Sequence, residues 1–257
     1  MEEKTVFVHR EGPVTTIKLN REDHLNAMDV ELLNELAEVL EEVQNDESNI
    51  VVLTGKGKAF SAGGDMKTML QSSDPKAFED VMQKIKRVST LFFTMPKITI
   101  SALNGAAAGL GLSIALAADY VIAKEDAKVA MNFIGIGLIP DGGGHFYMEQ
   151  RVGSVKAKQL IWEGQMMTAK EAKPLGLVDV VCENLDSTLS GYLTKLSQAP
   201  LLAMIESKKI INNEQLPHLE EILDQETKGQ AKMRQTEDHK EGVDAFLNKR
   251  KPEFKGE

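Results

Sequence analysis

The feature that most narrows what this chain can fold into is residues 97–119, KITISALNGAAAGLGLSIALAAD, where no charge stands between Lys97 and Asp119. A β-branched, alternating opening (Ile98, Thr99, Ile100) follows Pro96, and the pattern breaks at Asn104-Gly105. An alanine-rich helical run resumes from about Gly109. A strand, a glycine-rich turn and a helix of small residues bring unpaired backbone N–H groups to one spot. Fixed donors beside a helix N-terminus suit a developing negative charge, so this stretch is expected to be the catalytic centre. The run of 21 uncharged residues also has the length of a membrane span, and Gly105-x-x-x-Gly109 imitates a helix-dimer motif. Pro96, Ser101, Asn104 and three glycines interrupt it, which favours a buried strand-turn-helix. Gly109-x-Gly111 begins a dinucleotide fingerprint, but Ile114 stands where the third glycine belongs.

The remaining composition excludes whole classes. A net charge of −9 argues against binding nucleic acid or a membrane surface. The single cysteine, Cys182, rules out a disulfide within the chain, and its apolar run Leu177–Cys182 predicts a buried thiol. Five scattered histidines lack metal-ligand spacing, so no metal is expected. The start Met1-Glu2-Glu3-Lys4 is acidic and leads directly into a strand, without the pattern of a signal peptide; a cytoplasmic location is expected.

Along the chain, residues 4–10 and 14–19 read as a hairpin, and Asp29 as the cap of an amphipathic helix reaching about Gln44. A strand follows at 50–54, then Ala59-Phe60 running into Ser61-Ala62-Gly63-Gly64-Asp65. Asp74-Pro75 predicts a helix start, and the helix ends before Pro96. Strands near 120–123 and 128–131 precede a second glycine-rich loop, Gly135 to Gly144, that opens a helix. Thr168 and Glu171 have capping-box spacing. After a last strand at 178–182 only helices remain. The chain therefore divides into an α/β core over 1–184 and a helical region over 185–257, whose amphipathic helices need an apolar partner.

Two glycine-containing turns, 61–65 and 105–111, each follow a strand and precede a helix. Facing one another, each can donate one backbone N–H to a single oxygen, an oxyanion hole without side chains. Spacing alone equally fits two tight, closely packed turns.

The stretches KAFSAGGDMK (58–67) and NGAAAGLGLSIALAAD (104–119) resemble the enoyl-CoA hydratase/isomerase (crotonase) superfamily. So do LNAM (25–28), GLIPDGGG (137–144), AKEAKPLGLVDVV (169–181) and EGVDAFLNKRKPEFKG (241–256), all in the family's order. The resemblance implies an α/β spiral of ββα repeats, a helical C-terminal trimerisation region, and a homotrimer or dimer of trimers. It implies an acyl-CoA or enoyl-CoA substrate, with coenzyme A part of the thioester and no separate cofactor. Position by position, Ala62 and Leu110 would donate to the thioester oxygen. Leu25, Ala27 and the Ala62, Gly63, Gly64, Asp65, Met66 loop match the lining of the CoA pocket. Phe246 and Lys249 match residues that reach adenine or phosphate of CoA in a neighbouring subunit; a solvated basic tail explains them equally well.

Hydratases of this family use two glutamates, and those positions hold Ser113 and Phe133 here. Losing both forfeits most acid–base assistance to water addition, about 10²–10⁴-fold per group. Asp141 is the carboxylate left on the matching loop, and it resembles the Pro-Asp aspartate of isomerase-type members. Double-bond isomerisation needs one base, and burial against Ile134, Ile136 and Leu138 would raise its pKa toward a useful range. A helix cap or a Pro-Asp-Gly turn accounts for Asp141 as readily. The expected activity is isomerisation of an enoyl-CoA; the alternatives are an atypical hydratase and an acyl-CoA-binding protein with little chemistry.

Overall fold

Strand pairing sorts the short apolar runs into two sheets. The structure, a computed structural model, describes residues 4–65 and 75–257. Strands β1 (Val6–Glu11), β2 (Val14–Leu19), β3 (Ile50–Gly55), β5 (Ile98–Leu103), β7 (Tyr120–Lys124) and β10 (Val180–Cys182) form one sheet, in the order β1-β2-β3-β5-β7-β10. The first pair is antiparallel and the rest are parallel. Strands β4 (Ala59–Ser61), β6 (Ala106–Ala108), β8 (Lys128–Ala130) and β9 (Met167–Thr168) form the second, in the order β4-β6-β8-β9.

The alternation between sheets defines the fold. The pairs β3/β4, β5/β6 and β7/β8 each give one strand to the large sheet and the next to the small one. The helices Pro75–Thr94, Leu110–Leu116 and Gly144–Val152 follow in turn. This is the spiral of ββα repeats of the crotonase fold. Ala106–Ala108 departs from the sequence reading, which left it within a turn. Three alanines have little strand preference of their own. Here they pair with both neighbours, Ala59↔Ala106 on one side and Ala107↔Val129 on the other.

The charge-free opening stretch is explained by burial on two faces. Every residue of β5 is buried. Along β3, Val51 and Leu53 point into a core with the helix Val30–Val43, while Ile50 and Val52 point into a second core with Ile98, Ile100, Leu196 and Ile205. Leu196 lies on the helix Leu185–Ser197 and Ile205 on the 33-residue helix Leu201–Met233, so the C-terminal helices cover the sheet's second face. Asp119 ties them down: its Oδ2 accepts from the buried Lys208 Nζ at 2.8 Å and from the Thr99 N–H at 2.8 Å.

Local signals hold at several ends. Asp29 Oδ1 accepts from Leu32 N–H at 2.9 Å, and Thr168 and Glu171 form the expected capping box. The helix after Asp74-Pro75 starts at Pro75, while Asp74 lies outside the described residues. Cys182 corrects its expectation. It is only half-buried, because β10 is the sheet's edge strand, and its Sγ lies 3.5 Å from the Ala123 carbonyl. Among the described residues, no helix is long and apolar enough to cross a membrane.

Candidate active site

The two glycine turns meet at a cavity of about 260 Å³, lined by Ala62, Gly63, Gly64, Gly109 and Leu110. Gly63 has φ +98°, and a Cβ built on it would lie 2.7 Å from the Ala108 carbonyl oxygen and 3.5 Å from the Leu110 nitrogen. Only glycine lets the turns approach this closely. Gly63→Ala should therefore push them apart, lowering turnover about tenfold and stability by about 1–2 kcal/mol. Steady-state kinetics beside a urea melt would separate the two effects.

The donor on the first turn differs from the sequence expectation. Ala62 N–H already donates to the Leu25 carbonyl at 2.9 Å, and Gly63 N–H donates to Ser61 Oγ at 3.1 Å. Gly64 N–H has no acceptor among the described residues, and neither has Leu110 N–H at the start of its helix. The free pair is thus Gly64 and Leu110; Ala62 lines the cavity with its N–H committed elsewhere.

Sequence reasoning overlooked what holds the first turn. Arg21, through separate guanidinium nitrogens, reaches Asp29 Oδ2 at 2.8 Å and Asp65 Oδ2 at 3.1 Å. Asn26, fully buried at φ +54°, donates to the Lys56 and Ala59 carbonyls, while its own carbonyl accepts from Ser61 Oγ at 2.8 Å. Polar residues of loop 20–29 are thus spent on positioning. Leu25 and Ala27 are not cavity-lining; Leu25 is half-exposed and contributes its carbonyl, and the lining from this loop is Met28 and Asp29. Met66 lies outside the described residues.

Asp141 lines the same cavity and is 2% exposed. Its side chain does not cap the helix that follows: Glu226 takes the Gly143 and His145 N–H groups, and Gly144 N–H donates to the Asp141 backbone carbonyl at 3.1 Å, closing a Pro-Asp-Gly turn. Glu226 Oε2 accepts from Gly143 N–H at 2.8 Å, and Oε1 accepts from His145 N–H at 3.0 Å and faces His145 Nδ1 at 2.8 Å. Asp141 Oδ2 accepts from Gln230 Nε2 at 3.3 Å, and Oδ1 has no partner. Burial, and then the negative charge of Glu226, hold the Asp141 carboxyl well above the usual carboxylate range. The predicted surroundings need one revision: Leu138 is buried and Ile136 lines the cavity, but Ile134 turns outward at 37% exposure.

The run Gly142-Gly143-Gly144 gives the loop its path. Gly142 and Gly143 have φ +65° and +85°, and the Gly142 carbonyl accepts from Ser89 Oγ at 2.9 Å. Phe133 lines the cavity beside Gly109, while Ser113 is fully buried with its Oγ turned to the Gly109 carbonyl and the Met131 sulfur. The second carboxylate of the cavity, Asp29, is occupied by Arg21 and by its helix cap. Phe246 lines the cavity of its own chain, brought there by the helix Glu237–Leu247, which docks on residues 132–136. Lys249 lies exposed beyond that helix and is not among the lining residues.

A fold of alternating ββα repeats here brings two free backbone N–H groups and a buried carboxyl to one cavity, an arrangement able to hold an oxyanion and exchange a proton. The enoyl-CoA hydratase/isomerase family model matches residues 9–257, and the chain belongs to that family. The Bacillus subtilis (strain 168) protein YhaR, which carries an enoyl-CoA hydratase/isomerase name, is 46% identical over 251 residues, covering 95% of this chain and 96% of its own. The 1,2-epoxyphenylacetyl-CoA isomerase of Escherichia coli (strain K12) is 34% identical, with 98% of each chain covered. A solved enoyl-CoA hydratase from Mycobacterium avium subsp. paratuberculosis K-10 superposes with a TM-score of 0.88 at 30% identity, covering 98% of both chains.

Proposed function

We propose that this enzyme isomerises the double bond of an enoyl-CoA thioester. Asp141 takes a proton from the carbon beside the thioester carbonyl and returns it at the far end of the unsaturated unit. The thioester oxygen accepts from Gly64 and Leu110 N–H while negative charge spreads over the dienolate. The step neither gains nor loses electrons, so no redox cofactor enters. The observation that carries this reading is a single available carboxyl among the described residues of the cavity: Asp141 is buried there with Oδ1 unpartnered, whereas Asp29 is engaged by Arg21 and Leu32. Phe133 and Ser113 supply no carboxylate to activate water. The same reading includes a homotrimer or dimer of trimers, supported by the exposed Trp162, Leu202, Ile210 and Ile211.

A panel of 3-enoyl-CoA and 2-enoyl-CoA thioesters of graded chain length, followed in deuterated buffer, tests the reaction. Interconversion without 3-hydroxyacyl-CoA or free CoA accumulating is the expected result, with deuterium entering only to the extent that the proton held on Asp141 exchanges with solvent before its return. A hydrated product as the main outcome would overturn it.

A further inference from the structure

The buried stripe of the long helix Leu201–Met233 contains Leu219, Leu223, Glu226 and Gln230, at spacing i, i+4, i+7, i+11. Two of the four are polar, yet Glu226 is 2% exposed and Gln230 fully buried. Burying such groups is costly unless they are bonded. Both direct their bonds at one segment, residues 139–145, around Asp141.

We infer that Gln230 is a positioning residue for the proton shuttle: its amide holds Asp141 Oδ2 as an acceptor and leaves Oδ1 to take up and return the substrate proton. This rests on the reading of Asp141 as the base. The amide's orientation is fixed by chemistry. Gln230 Nε2 lies 2.6 Å from the Ile139 carbonyl, which can only accept, so the nitrogen must face that way and toward Oδ2. With Oδ2 accepting, the proton of the neutral carboxyl sits on Oδ1. In the first step a C–H bond breaks and the Oδ1–H bond forms; in the second, Oδ1–H breaks as the new C–H bond forms.

Glu226, one turn earlier on the same helix, holds the loop through Gly143 and His145 and sets a negative charge near the carboxyl. Among the described residues, the ionisable groups packed about this loop are Glu226 from the long helix and His145 and Tyr147 from the helix Gly144–Val152; His239, from the helix Glu237–Leu247, meets the Ile136 carbonyl at 2.8 Å farther along it. Asp29 stands at the same cavity. The helix Pro75–Thr94 contributes Ser89, which does not ionise.

The two residues should therefore act on Asp141 in opposite directions. Gln230 donates to the carboxylate and favours its charged form, and Glu226 disfavours it. The test is the pH profile of kcat for 3-enoyl-CoA isomerisation by the full chain. Gln230→Met should move the rising limb to higher pH and lower kcat about tenfold at neutral pH, with KM within about twofold. Glu226→Gln should move the limb to lower pH. Gln230→Leu replaces Gln230→Met if the latter does not fold, and the Glu226→Gln limb can be read independently. Limbs that stay put, or that shift in the same direction as a loosened loop would shift them, overturn the inference. Asp141→Asn separates the two readings. If it turns over normally, the base assignment fails. If it is inactive while the limbs stay put, only the role of Gln230 fails.

Discussion

Asp141→Asn should reduce isomerisation by about 10²–10⁴-fold while acyl-CoA affinity stays close to that of the unmodified chain. The substitution keeps size and planarity, and the asparagine oxygen can still accept from Gln230. Only the ability to exchange a proton is removed. Isothermal binding of an unreactive acyl-CoA beside single-turnover kinetics would check both halves, and turnover within a few fold would sink the assignment. A second consequence follows from the raised pKa of this buried carboxyl. In the pH range between the ordinary carboxylate value and the raised one, the folded chain binds the proton that the unfolded chain has released. Stability therefore falls as pH rises through that window. Asparagine does not titrate, so the variant should match the unmodified chain near pH 4 and be the more stable of the two at neutral pH. The loss of activity would then come with a gain in melting temperature, which distinguishes a removed base from a damaged site.

What could be read from the sequence depended on how far each signal reaches along the chain. Capping by Asp29, the box at Thr168 and Glu171, and the first strand and the helix of 97–119 involve neighbours within a few residues, and they fold as their patterns predict, whereas the strand at Ala106–Ala108 depends on partners far along the chain. The free Leu110 N–H was equally legible, because the first N–H of a helix has no partner inside it. The donor on the other turn was not. Whether Ala62 or Gly64 is free depends on a bond from Ala62 to Leu25, 37 residues earlier, that no local pattern announces. The ambiguity over Asp141 was of the same kind. A Pro-Asp-Gly sequence before a helix reads as a cap, and only Glu226, arriving from 85 residues downstream, takes the capping role away from it. Buried Glu226 and Gln230 did carry a faint signal, since they continue the apolar stripe begun by Leu219 and Leu223, but a stripe does not say what it faces.

Leu110→Pro should lower kcat by about 10²–10³-fold, the cost of removing one oxyanion donor. Proline is an unusual choice for probing a backbone group, but this position tolerates it. Leu110 is the first residue of its helix, where proline's fixed φ fits and its missing N–H breaks no intrahelical bond. Its N–H has no acceptor among the described residues either, so the substitution deletes a donor that none of them uses. The side chain is a separate matter: Leu110 is buried beside Gly142, and trimming it should cost about 2–5 kcal/mol of stability. Leu110→Ala is the control, since it makes a comparable cavity but keeps the N–H. The expected pattern is similar unfolding midpoints for the two variants and a kcat far lower for proline than for alanine. KM should move little, because the donor acts on the enolate more than on the ground-state thioester. Equal kcat values in the two variants would show that the Leu110 N–H does not stabilise the transition state.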